Sequence, residues 1–231
     1  MEMIPERLRM AAQLVLHTLV ANGVHSFQPR QLKRKGQLYT VHGVCSNGVE
    51  VPLLYAISSK KTEQVYTTIF GHMRDELGAA VPIHLRIVLD YEKAAINAVK
   101  RVFPHATVQG CAFHLAQAWN RRRDKLVLRR FIKGVEGVPK SLEAVVGYHQ
   151  RETWYTGMYS GLWDKFGVEE LRTTNLAESY HSQLNALFEV DHPTLDKLIL
   201  VLRDFEVSTT TIMPVFRGWP SKTTAATWPE M

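Results

Sequence analysis

A run of apolar residues that stops on an acid limits this fold more than any other stretch. Ile83 to Leu89 is short and rich in aliphatic residues, the pattern of a buried strand, and Asp90 follows it directly. From Glu92 onward, Ala95, Ile96, Val99 and Phe103 recur at three- and four-residue steps until Pro104, which predicts a helix with a firm stop. A second short strand, Thr107 to Cys111, then leads through Cys111-x-x-His114 into another helix carrying Arg121, Arg122 and Arg123. One acid, one Cys/His pair and one basic cluster therefore lie close together in the chain.

The residues upstream supply the rest of a sheet. Leu14 to Val20 reads as a first strand, with Ala21-Asn22-Gly23 as its turn, and Arg30, Lys33, Arg34 and Lys35 follow as a basic loop. Gln37 to Cys45 and Val49 to Ser58 are strand-like runs joined by the tight-turn sequence Ser46-Asn47-Gly48. Thr62 or a neighbour caps a helix whose stripe is Val65, Ile69, Phe70, Met73 and Leu77. That helix is long enough for the Asp90 strand to return parallel to the first strand. After Arg123 the chain reads as helical, over Lys125 to Lys133, Ser141 to Tyr159, Asn175 to Phe188 and Pro193 to Val207, with a Thr-, Pro- and Trp-containing tail from Gly218.

Each polar residue of interest has a purely structural reading beside a chemical one. Asp90 is well placed to cap the helix that follows it. Asn175 and Glu178 have the spacing of a capping box. Cys111 and His114 supply two of the four ligands that zinc takes, with Cys45, His105 and His181 as the available completions, so spacing alone gives no expectation of zinc. The arginine run reads equally as a solvated helix face.

The segment LDYEKAAINAVKRVFPHATVQGCAFHLAQAWNR resembles the core of the Mutator-like element (MULE) transposase domain, with its Asp-x-Glu, helix and Cys-x-x-His. Gln37 to Tyr66 and Leu171 to Ile199 resemble two further blocks of that family, in the same order. The resemblance implies an α/β, ribonuclease H-like mixed sheet. It divides the chain into a first part of the core at 1–124, a shortened helical insertion at 125–172, helices completing the core at 173–210, and a tail at 211–231. It also implies Mg2+ or Mn2+ held by three carboxylates, the third of them on a late helix. Carried over residue by residue, Asp90 is the second acid and Glu178 the third. The first acid, in the family's Asp-Gly-Thr-Phe, falls on Asn22-Gly23-Val24-His25, so an amide stands where a charge is expected.

Composition sets the outer limits. The 231 residues, 45% hydrophobic, suffice for a substantial core, and two cysteines make no disulfide scaffold. A net charge of +6 suits a polyanionic partner, with Arg30, Lys33, Arg34, Lys35 and Arg121 to Arg123 as the candidate DNA contacts. The Met10 to Ala21 run is interrupted by polar residues and too short for a bilayer. Three readings follow: a DNA-binding transposase derivative impaired at Asn22, a working metal-dependent nuclease, or a non-catalytic interaction scaffold. The expected location is the nucleus in a eukaryote and the cytoplasm otherwise, without secretion or membrane insertion, and a homo-oligomer is compatible with the sequence.

Overall fold

The computed structural model describes residues 2–3, 11–32, 36–46, 48–125, 154–163, 174–188 and 192–212. Its strands are β1 (Glu2–Met3), β2 (Leu16–Val24), β3 (Gln37–Cys45), β4 (Glu50–Ser58), β5 (Arg86–Leu89) and β6 (Thr107–Gly110). The helices are α1 (Glu63–Leu77), α2 (Lys93–Val102), α3 (Ala112–Lys125), α4 (Asn175–Leu187) and α5 (Leu195–Ile212). The sheet runs β1-β4-β3-β2-β5-β6, antiparallel from β1 to β2 and parallel from β2 through β5 to β6. This mixed α/β sheet has the order expected of a ribonuclease H-like fold.

Helices cover both faces of the sheet. Tyr66, Ile69, Phe70 and Met73 of α1 and Ile96 and Val99 of α2 share one cluster with Leu19, Ala21, Val41, Leu53, Ile87 and Leu89. On the other face Tyr180, Leu184, Leu198 and Leu202 of α4 and α5 pack with Leu38 and Tyr55. Every residue of β3 is buried, as a central strand between two helical layers must be. The Thr62 hydroxyl accepts from Val65 N at 3.4 Å, so α1 begins on the predicted cap.

Several boundaries differ from those read in the sequence. Asn22 and Gly23 form no turn: β2 continues to Val24, with Asn22 opposite Thr40 and Gly23 opposite Tyr39. Pairing with β3 overrides the Asn-Gly turn preference, and this keeps Asn22 in the sheet. β5 begins only at Arg86, and Ile83 is 84% exposed before it. The described end of the Ser141 to Tyr159 prediction is a string of bends and turns, with a π-type turn at Trp154 and Tyr155. Beyond Lys125 the helix predicted over Lys125 to Lys133 lies outside the described residues, as do most of the shortened insertion and the tail after Ile212.

Candidate metal and nucleic-acid site

Strand register brings the first two site residues together. Val20 of β2 stands beside Val88 of β5 in parallel pairing, and Asn22 and Asp90 each follow two residues further along. Side chains alternate between faces along a strand. Val20 and Val88 cluster with Ala177 of α4, so Asn22 and Asp90 share the parity of the α4 face. Glu178 is the next residue on that helix. Asp90 and Glu178, distant in sequence, both lie within electrostatic reach of His114, and Asn22 lies near the carboxyl end of β2.

Local bonds then define each group. Asn22 is 6% exposed, and its Oδ1 accepts from Gly23 N at 2.8 Å. The Asp90 Oδ1 accepts from Glu92 N at 3.3 Å, and Glu92 itself is the N-cap of α2 without a side-chain cap bond. Asp90 accordingly shapes the turn into α2 and does not cap it. Burial raises its pKa, against the opposing pull of His114, the Glu92 N–H and Lys61. Glu92 is likewise raised by burial, with Tyr66 holding it down and Asp90 pushing it up, and Lys61 approaches it at 3.8 Å.

Glu178 is no capping-box member either. The N-cap of α4 is Thr174, and its hydroxyl lies 3.2 Å from Glu178 Oε1, while Asn175 is the first helical residue. His181, three residues further on, turns to the sheet: it is 5% exposed and its Nε2 meets Thr40 Oγ1 at 2.9 Å. Burial lowers its pKa to about 4.

Cys111 lies at the base of this arrangement. Its backbone N–H donates to Leu89 O at 2.7 Å, one residue before Asp90. Its sulfur lies 3.2 Å from Thr174 N and 3.3 Å from Thr174 Oγ1. Burial would raise the thiol, yet His114 and Thr174 bring it down to about 7. The Cys111 sulfur in turn raises the His114 pKa, with smaller contributions from the Asp90 and Glu178 carboxylates and with burial opposing. His114 therefore lies within electrostatic reach of both acids. Its Nδ1 is buried and meets no partner at hydrogen-bonding geometry among the described residues.

The other candidate ligands stand elsewhere. Cys45 pairs across from Leu16 at the far end of β2, where its sulfur faces Ala11 O at 3.7 Å. His105 precedes β6, also at the end of the sheet away from Asp90. Neither approaches Cys111, and His181 is absent from the cluster of Cys111, His114 and Glu178, whose ligand atoms lie within 4.8 Å of one another. The third member is thus Glu178, a residue the spacing around Cys111 could not indicate.

The basic residues divide. Arg30 Nε donates to His192 O at 2.7 Å, tying the β2–β3 loop to the chain entering α5. Arg121 bonds Gln117 Oε1 at 3.0 Å and Arg123 pairs with Asp124 at 3.0 Å. Lys33, Arg34 and Lys35 lie outside the described residues. Both the β2–β3 loop and the start of α3 leave the end of the sheet where Asp90 sits. An aromatic group not anticipated from sequence borders the same end: Tyr91 meets Trp154 and Tyr159 edge-on, and the Tyr159 hydroxyl donates to Tyr91 O at 3.1 Å. Gly110 makes room for it, since a Cβ there would stand 2.2 Å from the Tyr91 ring.

Residues 30–118 match the family model of the MULE transposase domain. Over this span the chain is similar to MULE transposases. The matched span holds Asp90, Cys111 and His114, follows Asn22 and ends before Glu178. No curated protein matches the chain in sequence. This match supports a transposase-like function and suggests use of a divalent metal, and no described helix is long and apolar enough to cross a membrane.

Proposed function

We propose that this domain is a DNA-binding transposase derivative whose strand-cleaving step is impaired at Asn22. The observation that supports this reading is the parallel pairing of Val20 with Val88 under Ala177 of α4, from which Asn22 and Asp90 each lie two residues further along their strands, and the resemblance to MULE transposases implies an acid at position 22. An Asn carbonyl brings no charge and cannot bridge two cations, and here it already accepts the Gly23 N–H. Asp90 and Glu178 remain as oxygen donors that a hydrated Mg2+ or Mn2+ accepts, with water completing its shell. When bound, such an ion activates a water or 3′-hydroxyl and stabilises the leaving oxygen. Asp90, at the end of β5, and Glu178, on α4, both half-buried, are the residues that would hold the cation. Loss of the third charge lowers the rate by roughly a hundredfold or more.

DNA contact is assigned to Arg30, Lys33, Arg34, Lys35 and Arg121 to Arg123, and such binding operates in the nucleus of a eukaryotic cell. Phosphate contacts release counterions, so affinity should fall steeply as salt rises. The test is nicking of supercoiled DNA in Mn2+ by the chain, by Asn22→Asp and by Asp90→Ala. Cleavage gained in Asn22→Asp supports the reading. Cleavage by the unchanged chain that disappears in Asp90→Ala would instead establish a working nuclease. Silence from all three, with no salt-dependent DNA binding, would leave an interaction scaffold.

A further inference from the structure

The cysteine, histidine and carboxylate brought together at the start of α3 and α4 form a donor set of a different kind from the one just discussed. Cys111 Sγ, a ring nitrogen of His114 and a Glu178 oxygen lie within 4.8 Å of one another, and Asp90 is not a member of that group. Zinc binds sulfur at about 2.3 Å and nitrogen or oxygen at about 2.0–2.2 Å, so ligand atoms around one tetrahedral ion stand roughly 3.3–4 Å apart. Only a small closing movement separates this arrangement from that one.

Chemistry points the same way. Thiolate and imidazole select borderline-soft metals, whereas Mg2+ takes oxygen. The sulfur already faces two donors, the Thr174 N–H and hydroxyl, at 3.2 and 3.3 Å, the kind of support a metal-bound thiolate receives from its surroundings. The imidazole still has a buried Nδ1 without a hydrogen-bond partner among the described residues. We infer that Cys111, His114 and Glu178 bind a zinc ion, with a fourth position open to water. The ion joins the end of β6 to the first turn of α4 and so fixes the helix that carries Glu178. This site goes beyond the DNA-binding reading and shares only Glu178 with it; a carboxylate has a second oxygen for the Asp90 side.

The full chain, purified without chelator and dialysed, is assayed for metal content and then loaded with Co2+ as a spectroscopic substitute. Zinc retained at one ion per chain and a cobalt–thiolate band in the near ultraviolet are expected, both persisting in Asp90→Ala. Cys111→Ser should abolish the band, and His114→Ala and Glu178→Gln should weaken zinc at least about tenfold. Thr174→Val should keep the band while weakening zinc roughly 10- to 100-fold. A wild-type chain that retains no zinc and shows no thiolate band overturns the inference, whatever the variants do. So does an unchanged cobalt spectrum in Cys111→Ser. Neither readout uses DNA, so failure here is separate from failure of the nicking experiment.

Discussion

The two faces of the sheet are both covered by helices but built from different material. Under α1 and α2 the contacts are almost wholly apolar, with Leu19, Val41, Ile87 and Phe70 at their centre. Under α4 the buried layer includes Asn22, Thr40, His42 and His181 at 0–6% exposure, with Asp90 and Glu178 at its rim. Apolar packing is forgiving of detail but costly to hollow out. A polar layer contributes less per residue and fails when one partner is changed, because a buried group left unpaired keeps its full desolvation cost. The first face holds the sheet together, and the second is where chemistry has been built into it.

The largest effect should therefore come from the apolar face. Phe70 is fully buried and contacts the Tyr39 ring edge-on, at a centroid distance of 6.1 Å. Phe70→Ala should cost about 3–5 kcal/mol, from lost transfer energy and the cavity left behind. Urea unfolding measures it directly. A loss below about 1 kcal/mol would mean that this face collapses around the gap and is not the rigid support described above.

On the polar face the next largest effect depends on pH. The His181 pKa falls from 6.5 to about 4 on burial. In the window between those values the unfolded state binds more protons than the folded state, so stability is full above about pH 6.5 and declines as pH drops toward 4. The drop of about 2.5 pKa units corresponds to roughly 3 kcal/mol. Glu50, Asp90 and Glu92, all raised by burial, act in the opposite sense and gain stability on acidification. Comparing denaturant midpoints at neutral and acid pH isolates the histidine: His181→Gln keeps a polar group near Thr40 and should remove most of the acid loss. An undiminished acid slope would place the proton elsewhere.

The contrast between the faces also explains what could be read in the sequence. Periodicity recovered α1, α2, β3 and β4 nearly to their ends, since apolar spacing is what those elements contribute to the α1–α2 face. Asp90 was visible because it ends an apolar run. Asn22 is read from the sequence as part of a turn, because the Asn-Gly step has a strong local preference that pairing with β3 overrides. Thr174 could not be found at all. Its two contacts, to Cys111 Sγ and Glu178 Oε1, join segments more than sixty residues apart on one side, and neighbouring sequence carries no trace of such a link. The Lys61 approach to Glu92 is hidden in the same way.

The smallest of these effects is the sharpest probe of the polar face. Asn22→Asp places a second carboxylate beside Asp90, which burial already biases toward its neutral form. Like charges across adjacent strands are unfavourable, and the new group also loses water, so a cost of about 1–2 kcal/mol is expected at neutral pH without divalent ions. A cation that binds the folded chain and not the unfolded one stabilises it by mass action. Millimolar Mn2+ should therefore restore most of the loss in Asn22→Asp and raise the wild-type Tm much less. Thermal melts with and without Mn2+ make the comparison. If Asn22→Asp melts like the wild type in both conditions, position 22 does not face Asp90, and the register argument that joins the first two site residues fails.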